Sequence, residues 1–158
     1  ISEYAKDIAY EKNIDLLQNQ IHVFGEQFRR QWRLIDQVDY IITDSPLILS
    51  SIYYEFYMDK SKNLKFSKEY RKLSVDFFDR TYKEFNNINF VLNRSHKYET
   101  NGRVQTEKES EVIKNLISNK MEELNIPYIM YDSTDAAEKI IDYIKTIEKV
   151  KNVSRESI

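Results

Sequence analysis

The run Val38-Asp-Tyr-Ile-Ile-Thr-Asp-Ser-Pro46 constrains this chain more than any other stretch, because it is apolar and closes on an acid. It reads as a buried parallel strand over Val38–Thr43 whose carboxyl end presents Asp44. Open α/β sheets bind ligands at that end of their strands. Against it stands a scarcity of glycine. Only Gly25 and Gly102 occur, too far apart for a G-x-x-x-x-G-K-[ST] loop, which needs two glycines five positions apart. The chain therefore carries parts of a nucleotide-handling site without the part that grips phosphates.

Its 158 residues suffice for one domain with a real core. A hydrophobic content of 41% beside a charged content of 32% describes a folded chain, not a disordered one. The 24 basic and 26 acidic residues leave a net charge of −2. That balance argues against nucleic acid as the partner and gives no global field for a membrane surface. Zero cysteines exclude disulfides and thiolate zinc sites and fit a cytoplasmic location. No apolar run approaches membrane-spanning length. The chain opens on Ile1, and an element ahead of it is expected.

Helical signals occupy most of the remainder. A short helix is expected over Ser2–Tyr10 and an amphipathic one over Ile21–Ile35, with Val23, Phe24, Phe28, Trp32 and Ile35 at helical spacing. Pro46 suits the first turn of a helix running to Met58, since its missing N–H would be unpaired there anyway. Ser67 is an N-cap for a helix ending near Phe85, whose stripe is Tyr70, Leu73, Phe77, Phe78 and Tyr82. Ile88–Leu92 and Pro127–Tyr131 read as further strands. Between them, Ser95–Gln105 is a polar loop or lid, and Thr106 with Glu109 forms a capping box for the next helix. A final helix carries Ile140, Ile141, Ile144 and Ile147, and residues 151–158 read as a frayed tail. Strands separated by helices imply right-handed crossovers and a parallel sheet.

Four motifs in this order resemble the P-loop kinase superfamily, most closely the AAA-type ATPases of phages and bacteria related to the nicotinamide riboside kinase domain. Glu3-Tyr-Ala-Lys6 resembles the E-Y-A-R segment after the second strand, and Val38–Pro46 the strand with the Walker-B-type acid. Ile88–Arg94 resembles the strand entering the lid, and Gly102-Arg-Val-Gln-Thr-Glu-Lys-Glu109 the lid's basic segment and the helix after it. The resemblance implies an α/β fold of three layers, α/β/α, around a parallel sheet. It also implies one incomplete domain over residues 1–150 with a lid at about 94–106. The N-terminal strand and phosphate loop of such a domain are missing from the chain. ATP and Mg2+ would be the cofactors, both conditional on that missing segment.

The same resemblance implies roles for particular residues. Asp44 would hold magnesium or orient the attacking hydroxyl; the plainer role for such an acid is to cap the helix ahead of Pro46. Glu3 would stand near the phosphate-accepting hydroxyl, the plainer alternative being a solvated acid at a helix start. Of Arg29, Arg30 and Arg33, at most one, with Arg29 and Arg30 indistinguishable at this stage, would meet substrate phosphate or carboxylate through paired hydrogen bonds, the plainer alternative being a solvated basic face. Arg94, Lys97 and Arg103 would bring positive charge to the transferring phosphoryl group as the lid closes. His22 and His96 lack metal-ligand spacing. Two functions follow: a nucleotide-binding ATPase or small-molecule kinase domain, or a non-catalytic binding or regulatory protein on a degenerate kinase scaffold. The aromatic run Ile52–Tyr57 leaves a homo-oligomer or a protein partner open under either.

Overall fold

Side-chain caps written into the sequence start several of the helices. Asn13 accepts a hydrogen bond from the Leu16 N–H and Asn19 one from the His22 N–H, each at 3.2 Å. Ser67 accepts from the Tyr70 N–H at 3.2 Å. Thr106 and Glu109 close both halves of the expected capping box. Each such bond satisfies an amide that the first helical turn leaves orphaned.

The computed structural model describes residues 1–58, 67–93, 95, 98 and 104–156. The elements are α1 (Tyr4–Tyr10), α2 (Ile14–Gln18), α3 (Gln20–Trp32), α4 (Ile48–Met58), α5 (Lys68–Lys83), β1 (Phe90–Asn93), α6 (Glu107–Glu123), β2 (Ile129–Asp132) and α7 (Ala136–Glu156). They fall into two compact units. The first comprises Ile1–Asn87 with Glu99–Asn125, and the second Ile88–Tyr98 with Ile126–Ile158.

In the first unit the core is aromatic at its centre. Phe78 is fully buried, its ring 4.6 Å from that of Phe24 and 5.8 Å from that of Tyr54. Burying one such side chain contributes about 1.5–3 kcal/mol. Ile8, Leu17 and Val23 form a cluster joining α1, α2 and α3. Phe56, Tyr57 and Ile113 form another between α4 and α6. The aromatic run of α4 is therefore core, with Ile52 and Tyr54 also buried.

The second unit holds a two-stranded parallel sheet, with Phe90 opposite Ile129 and Asn93 opposite Asp132. The Phe90 ring stacks on Tyr131 and meets Tyr143 of α7 edge-on, with centroids 5.8 Å and 5.5 Å away. The described residues thus form mixed helix and a small parallel sheet, compatible with the α/β class expected from the sequence.

Several expectations need correcting. Val38–Thr43 is not a strand: among the described residues it has no strand partner, and Val38 and Ile42 are 49% and 67% exposed. An apolar run becomes a strand only where a neighbour takes its backbone groups. Here Ile42 receives one such bond, from the Ile1 ammonium to its carbonyl oxygen at 2.6 Å. Trp32, assigned to the buried stripe of α3, is 61% exposed, as are Leu73 and Phe77 of α5 at 67% and 56%. The helix α2 was not anticipated, and α7 continues to Glu156 through much of the expected frayed tail.

Candidate functional site

The carboxylates singled out in the sequence lie on neighbouring pieces of the first unit. Asp44 sits in the turn between the extended run and α4. The Thr43 hydroxyl shapes that turn: its oxygen accepts the Ser45 N–H at 3.1 Å and donates to the Ser45 carbonyl at 3.3 Å. Asp44 itself is exposed, with no hydrogen bond or ion pair to the described residues. The turn is therefore formed by Thr43, and the Asp44 carboxylate takes no part in it.

Glu3 occupies the N-cap position of α1 but makes no side-chain cap. The first amide of that helix, the Tyr4 N–H, donates instead to Gln27 Oε1 at 3.1 Å. The other end of the same side chain, Gln27 Nε2, donates to Thr43 Oγ1 at 3.2 Å. One buried glutamine of α3 thus bonds to the residue after Glu3 and to the residue before Asp44. Composition gave no hint of it, because a glutamine inside an amphipathic helix normally faces water. The available signal was recurrence: Gln20, Gln27 and Gln31 lie seven and four residues apart, on one helix face, and all are buried.

The two arginines that the sequence left indistinguishable differ in the structure. Arg29 is 61% exposed along its side chain and grips Glu26 with Nε at 2.9 Å and a terminal nitrogen at 2.8 Å. Arg30 is 20% exposed and reaches both Glu26 and Asp7, while its guanidinium lies 4.8 Å from the Tyr4 ring centroid. Hydrogen bonding from Arg29, reinforced by Arg30 and opposed by partial burial, holds the Glu26 carboxyl down at about 2. Arg30 therefore ties α1 to α3. The Tyr4 hydroxyl bonds to His22 Nε2 at 2.9 Å.

Arg94, His96, Lys97, Gly102 and Arg103 lie outside the described residues. The carboxyl end of the segment expected to be a lid is described: Gln105 Nε2 donates to the buried Tyr57 hydroxyl at 2.7 Å, directly before the capping box.

A groove of about 730 Å³ opens elsewhere in this unit, lined by α4, α5 and α6. Its floor is Lys120, whose side chain is 7% exposed and lies 3.4 Å from Asp79, 3.6 Å from Glu55 and 3.7 Å from Glu123. Burial pulls the Lys120 ammonium down, but the three carboxylates outweigh it and raise its pKa. Neither Glu3 nor Asp44 lines this groove. Sequence reasoning missed the cluster, since its members come from three helices.

Among the described residues no group of three or more His, Cys, Asp or Glu is placed to hold a metal. None of the helices in that set is long and apolar enough to cross a membrane. Magnesium in phosphoryl-transfer sites needs less than such a cage, because substrate phosphates and waters supply most of its ligands beside one or two carboxylates. An exposed carboxylate without a partner among the described residues, as at Asp44, fits that donor set.

Comparison with known proteins places the chain by family. The family model described as AAA domain matches residues 2–139. The chain belongs to this AAA-type P-loop domain family, which points to nucleotide binding of the P-loop NTPase kind. No curated protein matches the chain, and neither does a solved structure.

Proposed function

We propose that this AAA-domain chain carries the carboxylate and lid side of a P-loop ATPase or small-molecule kinase domain that transfers the terminal phosphate of magnesium-bound ATP. The observation that carries the reading is the Asp44 turn: an exposed carboxylate, free of partners among the described residues, on a turn bonded to the start of α1 beside Glu3. A group held in place and without a partner among the described residues is available to a metal or an acceptor hydroxyl.

Asp44 would hold Mg2+, which when bound neutralises charge on the phosphate oxygens. Glu3 would orient or deprotonate the phosphate acceptor. Arg94, Lys97 and Arg103 would face the transferring group from the lid, and Arg29, whose guanidinium is largely exposed, is the better placed of the two helix arginines to meet substrate. Three layers around a parallel sheet remain the proposed architecture. The parallel pairing of β1 with β2 supports it. No G-x-x-x-x-G-K-[ST] loop occurs in the 158 residues, so the phosphate grip of the natural protein would come from residues outside them.

The test is MgATP turnover by the natural full-length protein and its Asp44→Asn variant. Losing a charge that acts on the transition state lowers turnover by about 10-fold or more while nucleotide affinity changes by less than about 3-fold. Unchanged turnover removes Asp44 from the mechanism, and a wild type without turnover favours the regulatory scaffold, on which this surface serves a protein partner.

A further inference from the structure

We propose that Gln27 is a positioning residue that sets the Asp44 turn against the Glu3 end of α1, so that the two carboxylates are held as one unit. The inference rests on the functional reading above only for its kinetic consequence; the clamp itself stands on geometry.

Gln27 is 2% exposed. Its amide has one orientation open to it. A backbone N–H can only donate, so the end facing Tyr4 N at 3.1 Å must be the oxygen. The end 3.2 Å from Thr43 Oγ1 must then be the nitrogen. The Thr43 hydroxyl is used to capacity: it donates to the Ser45 carbonyl and accepts from both Ser45 N–H and Gln27. A hydroxyl has one proton and two lone pairs, so rotating it to suit another partner breaks a bond already made. The Tyr4 N–H is equally committed, because the first amides of a helix have no acceptor within it and Glu3 provides no cap. The chain of bonds runs from α1 through a buried side chain of α3 to the Thr43 hydroxyl and from there to the Ser45 backbone, the two residues that flank Asp44. It joins segments 23 and 16 residues away from Gln27. Such a part-buried polar chain costs stability if left half satisfied.

Breaking it frees the Asp44 turn to reorient without removing any group that would touch substrate. Gln27→Met keeps the volume and deletes both bonds, Thr43→Val deletes the hydroxyl, and Thr43→Ser restores it.

The experiment has two arms on the natural full-length protein. In the first, amide hydrogen exchange is followed in Gln27→Met. The Ser45 and Tyr4 amides exchange at least about 10-fold faster, while amides in the middle of α5 and α6 keep their protection, as expected for local opening. Unchanged exchange at Ser45 overturns the clamp whatever the kinetics. Loss of protection throughout reports unfolding, and Gln27→Glu, which keeps the acceptor for Tyr4 N–H, then decides: loosening at Ser45 alone upholds the clamp and unchanged exchange there overturns it. In the second arm, MgATP turnover is measured. Gln27→Met and Thr43→Val each lower kcat by about 10-fold with KM for ATP little changed, the scale of loss that small misplacements cause. The double variant is no slower than the slower single one, because both break the same link, and Thr43→Ser recovers most of the loss. Multiplying losses, or full kcat in both singles beside a crippled Asp44→Asn, overturn the kinetic role. Full turnover in Asp44→Asn is a failure of the functional reading instead, and the exchange arm alone then decides the clamp.

Discussion

Replacing Lys120 by methionine tests how the first unit balances its buried charge. The ammonium has three carboxylate neighbours, but they are unequal. The Glu55 and Glu123 side chains are 53% and 68% exposed, and water screens pairs of that kind to less than about 1 kcal/mol. The Asp79 side chain is 12% exposed and sits 3.4 Å away. At an effective dielectric of about 20 that separation gives roughly 5 kcal/mol of gross attraction, against several kcal/mol of desolvation for each ion. The pair therefore adds little beyond what it cost to bury. Losing one member is another matter, because Asp79 Oδ1 already lacks a hydrogen-bond partner in the described structure. Lys120→Met leaves the whole carboxylate buried and uncompensated, for an expected loss of about 3–5 kcal/mol. Lys120→Met with Asp79→Leu returns to within about 1 kcal/mol of the wild type or above it. Asp79→Leu alone costs less than Lys120→Met, since the lysine keeps two exposed carboxylates. Urea unfolding followed by circular dichroism, with an unchanged m value, reads all three differences. A single-variant loss below about 1 kcal/mol, or a double variant no better than Lys120→Met, refutes the reasoning. Because the folded ammonium is raised in pKa, its contribution is complete below its unfolded value, about 10.4, and is lost as pH rises through the higher folded one.

Two further outcomes follow. Gly25 lies inside α3 with nothing within 4 Å of where a Cβ would stand, so Gly25→Ala raises stability by about 0.5–1 kcal/mol in thermal or urea unfolding; destabilisation would show that α3 packs more closely at that point. Glu26 titrates at about 2 in the folded chain against 4.5 for an unperturbed glutamate. A depressed carboxyl contributes stability that is present above its unfolded pKa and lost as pH falls through the folded one. Unfolding free energy should therefore drop between about pH 4.5 and pH 2, and Glu26→Gln should remove that part of the slope.

Local signals in the sequence were legible and long-range ones were not. Ser67 and the Thr106–Glu109 pair announce their helices because a cap depends on three neighbouring residues, and both form as read. Asn13 and Asn19 carried the same signal for α2 and α3. The stripe on α5 was read correctly in period but not in partner: Phe78 and Tyr82 are buried while Leu73 and Phe77 are exposed. Periodicity tells which residues share a face, and only neighbouring elements decide which face is covered. Val38–Thr43 failed for the same reason, since a strand is defined by the backbone beside it. Among the candidate residues, Asp44 and Glu3 stand out in the sequence because acids at element ends are conspicuous. Gln27 was signalled only by its recurrence with Gln20 and Gln31 on one helix face, and its two partners are visible only once the fold brings Tyr4 and Thr43 to it.

The most direct test of the central claim is calorimetric titration of MgATP into the 158-residue chain and into the natural full-length protein. The account places the carboxylate side of a nucleotide site in this chain and the backbone amides and lysine that grip phosphates outside it. It predicts micromolar binding by the full-length protein and none tighter than about 1 mM by the 158 residues alone, a difference of about 4 kcal/mol. Micromolar binding by the 158-residue chain would contradict it.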